Sequence, residues 1–134
     1  MYKIILDTNF LLSCLNFKID FISEINRICS LNYELYIFEG TLKELENKKH
    51  GKLAWDIIKN KNIKVINSKN SYVDKDILSL KDGYIIATND KVLIKKLKFP
   101  VIRIKQKKYL ILQKNVLWNW IKKSCKNWSQ TLQW

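Results

Sequence analysis

Five short apolar runs alternate with segments of helical spacing, and this alternation constrains the chain more than any other feature. Residues 3–6 (KIIL), 34–38 (ELYIF), 63–66 (IKVI), 84–87 (YIIA) and 100–104 (PVIRI) have the length and β-branched content of buried strands. Residues 10–31 place apolar side chains at helical intervals, and the polar break over 16–20 divides them into two helices. Gly40 and Thr41 open a further helix, with Thr41 at the N-cap and Glu44 at its third position. Residues 52–59, 73–80 and 91–97 read as three more helices, and 67–72 as a polar loop. Strands alternating with helices specify a parallel sheet covered on both faces. The expected fold is therefore α/β, with a central parallel sheet of about five strands. Residues 109–112 (YLIL) read as a sixth strand at an edge, and 115–128 as a last amphipathic helix.

Composition narrows the class. A chain of 134 residues fits one domain. Its 47% hydrophobic content excludes a disordered basic tail, and three Gly with one Pro exclude collagen-like and low-complexity chains. No apolar run reaches the roughly 18 residues of a membrane span. Asp7 interrupts the N-terminal apolar stretch, which argues against a secretory signal. Cys14, Cys29 and Cys125 are widely spaced, and His50 is the single histidine, so neither a zinc pattern nor histidine chemistry is present. Free thiols fit a cytoplasmic protein that makes no use of the membrane.

The net charge of +13 conceals two populations. Residues 1–90 hold 13 Lys+Arg and all 12 acids, whereas residues 91–134 hold 12 Lys+Arg and no acid. A one-signed block of this kind suits a polyanion. Residues 113–134 read as a basic tail on a domain over 1–112. That tail carries Trp118, Trp120, Trp128 and Trp134. Trp120 and Trp128 share a helical face and suit packing, while stacking on unpaired bases or a partner contact stays open for the other two.

Acids also recur just past the strand ends, where open parallel sheets bind ligands. Asp7 follows the first strand directly, and Asp90 follows the fourth by two residues. Glu44 lies in the helix after the second, and Asp74 starts the helix after the third. Each has a local alternative. Asp7, Asp74 and Asp90 can cap helices, and Glu44 can complete a capping box with Thr41. Gathered in one place, four carboxylates repel unless a hard divalent cation joins them. A cation of that kind beside a basic surface suggests metal-assisted hydrolysis of a nucleic-acid phosphodiester.

The segments ILDTNFLL (5–12), GTLKELE (40–46), VDKDIL (73–78) and IIATNDKVLIKKL (85–97) resemble, in order and spacing, those of the PIN-domain nucleases. The likeness covers roughly residues 1–112 and is nearer to the archaeal and eukaryotic small-subunit rRNA-processing branch than to VapC-type toxins. It implies a PIN-like fold and a metal-dependent endoribonuclease. Asp7, Glu44, Asp74 and Asp90 would hold one or two Mg²⁺ or Mn²⁺ ions and carry the reaction. Asp76 is the alternative to Asp74, because Lys75 separates the two acids. Thr8, Asn9, Thr88 and Asn89 would orient the carboxylates. Lys91, Lys95, Lys96, Arg103, Lys105, Lys107 and Lys108 would hold RNA phosphates. RNA is the expected partner, with a homodimer, an antitoxin or a ribosome-assembly factor left open. Three other functions compete: a ribonuclease toxin, an inactive PIN-like RNA-binding or assembly factor, and a receiver-like or phosphatase domain with a nucleophilic Asp. Surplus positive charge suits polyanions better than the small phosphates of the last.

Overall fold

The computed structural model of the protein describes residues 2–29, 32–81 and 83–113. β1 (Tyr2–Leu6) leads into α1 (Thr8–Asn16) and α2 (Phe21–Ile28). β2 (Tyr33–Phe38) is followed by α3 (Glu39–Leu45) and α4 (Gly51–Asn60). β3 (Lys64–Ile66), α5 (Val73–Leu78), β4 (Tyr84–Ala87) and α6 (Lys91–Lys96) come next. β5 (Val101–Lys105) and β6 (Tyr109–Gln113) close the order. The helix expected over 115–128, the tryptophan-rich tail and Cys125 lie outside the described residues.

Among the described residues the sheet runs β3-β2-β1-β4-β5-β6. The first five strands are mutually parallel, and β6 pairs antiparallel with β5 at the edge. The chain moves outward from β1 to β3, then returns to lay β4 on the other side of β1. This reversal puts the topological switch point between β1 and β4, where a crevice opens beyond the carboxyl ends of the strands.

Alternation along β1 builds two cores. Ile4 and Leu6 pack against Phe10, Leu11 and Cys14 of α1, Phe21 and Ile25 of α2, and Ala54 and Ile58 of α4. Ile5 faces the other way, onto Val73 and Ile77 of α5 and Leu93 of α6. A central strand buried on both faces has to read as an unbroken apolar run, as KIIL does. Cys14 and Cys29 are free and buried, and burial pushes their thiols up to about 12 and about 11. No helix among the described residues is long and apolar enough to cross a membrane.

One local expectation is corrected. Thr41 does not cap α3, because the helix begins at Glu39 directly after β2, with an extended Phe38 in the cap position. Thr41 lies inside the helix and is fully buried. The turn from α3 to α4 is tight enough to require Gly51, where a Cβ would stand 1.9 Å from the Leu45 carbonyl oxygen.

Candidate active site

The switch point is built from backbone register. Leu6 is level with Ala87, so the next residues, Asp7 and Thr88, are neighbours at the strand tips. The ladder continues into them: the Asp7 amide donates to the Ala87 carbonyl at 3.0 Å, and the Thr88 amide to the Ile102 carbonyl at 3.0 Å. The Thr88 hydroxyl donates to Asp7 Oδ2 at 2.9 Å and accepts from the Asp90 amide at 3.2 Å. A single buried threonine thus links two acids 83 residues apart in sequence.

Asp7 is 8% exposed. Burial pushes its carboxyl up to about 6, against the pull of the Thr88 hydroxyl and the Thr8 amide, and the charges of Glu44 and Asp90 add to the rise. Asp90 is exposed, and its Oδ1 accepts from the Val92 and Leu93 amides at 3.0 and 3.2 Å. It is therefore both the cap of α6 and a charge facing Asp7. Asn89 turns away from the crevice, with its Oδ1 accepting from the Ile104 amide at 2.9 Å. That bond fixes the β4–α6 turn to β5.

On the other side, α3 brings up Glu44, which is exposed and close enough to raise Asp7. Two contacts hold this helix. The Thr8 hydroxyl donates to the Thr41 hydroxyl at 3.2 Å, with both side chains buried. The Gly40 amide donates to Ser68 Oγ at 2.8 Å, and a Cβ at Gly40 would crowd Val73 at 3.1 Å. Thr41 is the site residue that sequence reasoning missed, since a threonine near a helix start gives no sign of a partner 33 residues away.

The two acids of α5 separate cleanly. Asp74 is exposed in the first turn. Asp76 is buried, and its Oδ1 accepts from the Lys69 amide, the Asn70 amide and Asn70 Nδ2 at 3.1, 2.9 and 2.9 Å. Burial alone would raise it, but these bonds and the Ser68 hydroxyl hold it below the ordinary carboxylate value. Asp76 therefore acts as an anchor for the polar loop. Asn9 is exposed on α1.

The basic side chains after Asp90 also differ in placement. Lys91, Lys95, Lys96, Lys105, Lys107 and Lys108 are exposed. Arg103 is half-buried and donates to Gln113 Oε1 at 2.6 Å, so its guanidinium is engaged along the β5–β6 pair.

Among the described residues no three His, Cys, Asp or Glu side chains already surround one point as metal ligands would. The donor chemistry nevertheless fits a hard divalent cation. Asp7 is a buried carboxylate raised by two like charges, and a cation relieves both the burial and the repulsion.

No model of a known protein family matches the chain. Ribonuclease VapC4 of Methanocaldococcus jannaschii is 38% identical over 124 residues, an alignment that spans 81% of this chain and 95% of the relative. The solved structure of the PIN domain endonuclease Utp24 covers 86% of this chain and 93% of its own with a TM-score of 0.76. At 24% identity that match shows a shared fold.

Proposed function

Because the chain belongs to the PIN-domain nuclease family, we propose that it is a metal-dependent endoribonuclease working at the β1–β4 switch point. The observation that carries the reading is Asp7. It is a buried carboxylate at the ligand-binding end of the sheet, pushed up to about 6 by burial and by the facing Glu44 and Asp90. Asp7, Glu44, Asp74 and Asp90 would hold the metal, with Mg²⁺ and Mn²⁺ the ions suited to carboxylate oxygens. Such an ion supplies a Lewis acid to water and to the phosphate.

The chain's own residues do the rest. Thr88 ties Asp7 Oδ2 to the Asp90 backbone, which brings the two acids to the same end of the sheet. Thr8 and Thr41 set the approach of α3, and with it Glu44. The exposed lysines after Asp90 attract the RNA backbone without reading its sequence.

Incubating total RNA with pure protein and Mn²⁺, and mapping the ends, tests this. In-line attack by water predicts 5′-phosphate and 3′-hydroxyl ends. Chelation should abolish cleavage, and Asp7→Asn should cut the rate by about 10³-fold, the scale on which a preorganised charged group acts. Cleavage that survives both treatments overturns the proposal. The 38% identical Ribonuclease VapC4 favours, as a second reading of the same chemistry, a toxin role. Growth arrest on expression, relieved by a small protein from the adjacent gene, would separate it from RNA processing.

A further inference from the structure

The lysines after Asp90 are one block in sequence, but the fold divides them. α6 starts at the carboxyl edge and runs away from it, so Lys95 and Lys96 lie roughly 7–9 Å down the helix from Asp90. β5 runs parallel to β4 and continues past the edge. Ala87 is level with Ile102, which puts Thr88 beside Arg103, and the Ile104 amide reaches the Asn89 side chain. The turn over residues 105–108 therefore projects beyond the row of Asp7 and Thr88. It stands two strands, about 10 Å, to the side of Asp7 and further out along β5.

This turn is held rigidly. The Lys108 amide donates to the Lys105 carbonyl at 3.1 Å, and Gln106 and Lys107 both have positive φ, at 54° and 55°. Neither is glycine, so the turn persists only because its surroundings impose it. Those surroundings can be named. Asn89 takes the Ile104 amide, and Lys107 Nζ lies 5.6 Å from the Phe17 ring centroid. Glu24 and Arg27, paired to each other at 3.1 Å, grip the Leu110 backbone from α2 at 3.0 and 2.8 Å. Lys105 and Lys108 are exposed, and the salt bridges among the described residues involve neither.

We infer that the β5–β6 turn is a phosphate clamp. Lys105 and Lys108 hold one backbone phosphate of single-stranded RNA within a few nucleotides of the bond cut at Asp7. The inference rests on the endoribonuclease reading for the position of the cut, and on the turn's own geometry for the grip. A rigid cationic turn beside and beyond the acidic strand tips offsets the repulsion between the carboxylates and the incoming strand.

The test uses the full chain and a fluorescent single-stranded oligoribonucleotide in metal-free buffer, read by anisotropy. Lys105→Gln/Lys108→Gln should weaken binding about tenfold and reduce the salt slope by about 0.7, the share of one phosphate on a single strand. This variant spares the Lys107–Phe17 contact, and its melting temperature should match wild type. Lys59→Gln/Lys61→Gln removes the same charge from the end of α4, where Lys61 sits beside Tyr33 and Glu34. It should change binding less than twofold. In Mn²⁺, single neutral methylphosphonate linkages are then walked along the oligonucleotide. They should slow wild-type cleavage at one position on one side of the cut, and that penalty should vanish in the turn variant. Equal losses from the two double variants, or a penalty that persists in the turn variant, overturns the clamp. Absence of any Mn²⁺-dependent cleavage by wild type would sink the nuclease reading instead, while anisotropy still decides whether the turn binds.

Discussion

Asp7 and Asp90 hang from neighbouring strand tips and share one buried threonine, whereas Glu44 and Asp74 ride on helices with their carboxylates in solvent. The strand-borne pair is positioned by the sheet ladder itself, which fixes Thr88 against Ile102 and Asp7 against Ala87. The helix-borne pair is positioned only by how α3 and α5 pack. In the first case Asp7 is buried and strained electrostatically, while Asp90 caps α6 at the surface. In the second the carboxylate stays exposed, and Glu44 acts on the site through the charge that adds to the rise of Asp7. The difference separates a half-site fixed by the sheet from a half that, on the proposed reading, a metal would complete.

The comparison breaks most visibly if Asp7 proves not to be strained. Its folded pKa, about 6, stands above the ordinary 3.8. A raised carboxyl binds its proton more tightly in the folded state, so folding stability falls as pH rises from about 4 to 6 and stays lowered above that. The difference corresponds to up to about 3 kcal/mol for the ionised group. Asp7→Asn carries no charge and should unfold at higher urea than wild type at pH 7.5 in chelator, by up to that amount. The gain should shrink towards zero near pH 4. Glu44→Gln, on the hydrated side, should stay within about 0.5 kcal/mol at both pH values. An Asp7→Asn protein no more stable than wild type at pH 7.5 removes the contrast.

Asp74 and Asp76 sharpen the comparison on α5, where two acids one residue apart are given opposite work. Asp76→Ala orphans the Lys69 and Asn70 amides and the Asn70 side chain, and should cost about 2–3 kcal/mol in urea unfolding. Asp74→Ala should leave stability within about 0.5 kcal/mol but weaken Mn²⁺ binding in a calorimetric titration. If Asp74→Ala unfolds the protein and Asp76→Ala keeps its fold but loses the metal, the two assignments must be exchanged.

What could be read from the sequence follows the same division. The central strands were legible because burial on both faces of a parallel sheet leaves a continuous apolar signature, as in residues 84–87 of β4; residues 109–112 fall within the antiparallel edge strand β6. Asp7 and Asp90 could be placed at strand tips because their positions are local to those runs. Asn89 could not be separated from Thr88, because the partners that tell them apart, the Ile104 amide for Asn89 and the Asp7 carboxylate for Thr88, are remote in sequence. Thr41 was misplaced for a related reason. Its local pattern satisfies the rules of a helix cap, yet β2 turns straight into α3 and leaves the hydroxyl to a partner on α1. The choice between Asp74 and Asp76 depended on a loop fold that no periodicity encodes.

Thr41 gives the finest test of how the helix-borne half is held. Its hydroxyl and that of Thr8 meet in a fully buried place, one turn before Glu44 on the same face of α3. Thr41→Val keeps the shape and removes the partner, so the Thr8 hydroxyl is left to find another acceptor or go without. The stability loss should be about 1 kcal/mol, the ordinary scale of one buried hydrogen bond. If that bond merely adds stability, Mn²⁺ affinity will not change. If it sets the distance from Glu44 to Asp7, affinity should fall about tenfold, as when other residues that orient metal ligands are replaced. Thr41→Ser, which restores the hydroxyl and loses only a methyl group, should recover the affinity without recovering all of the stability. That split between metal binding and folding is what a positioning contact produces and a packing contact does not. An unchanged affinity in Thr41→Val would leave the carboxylate of α3 placed by the Gly40–Ser68 bond and the packing of buried Leu45.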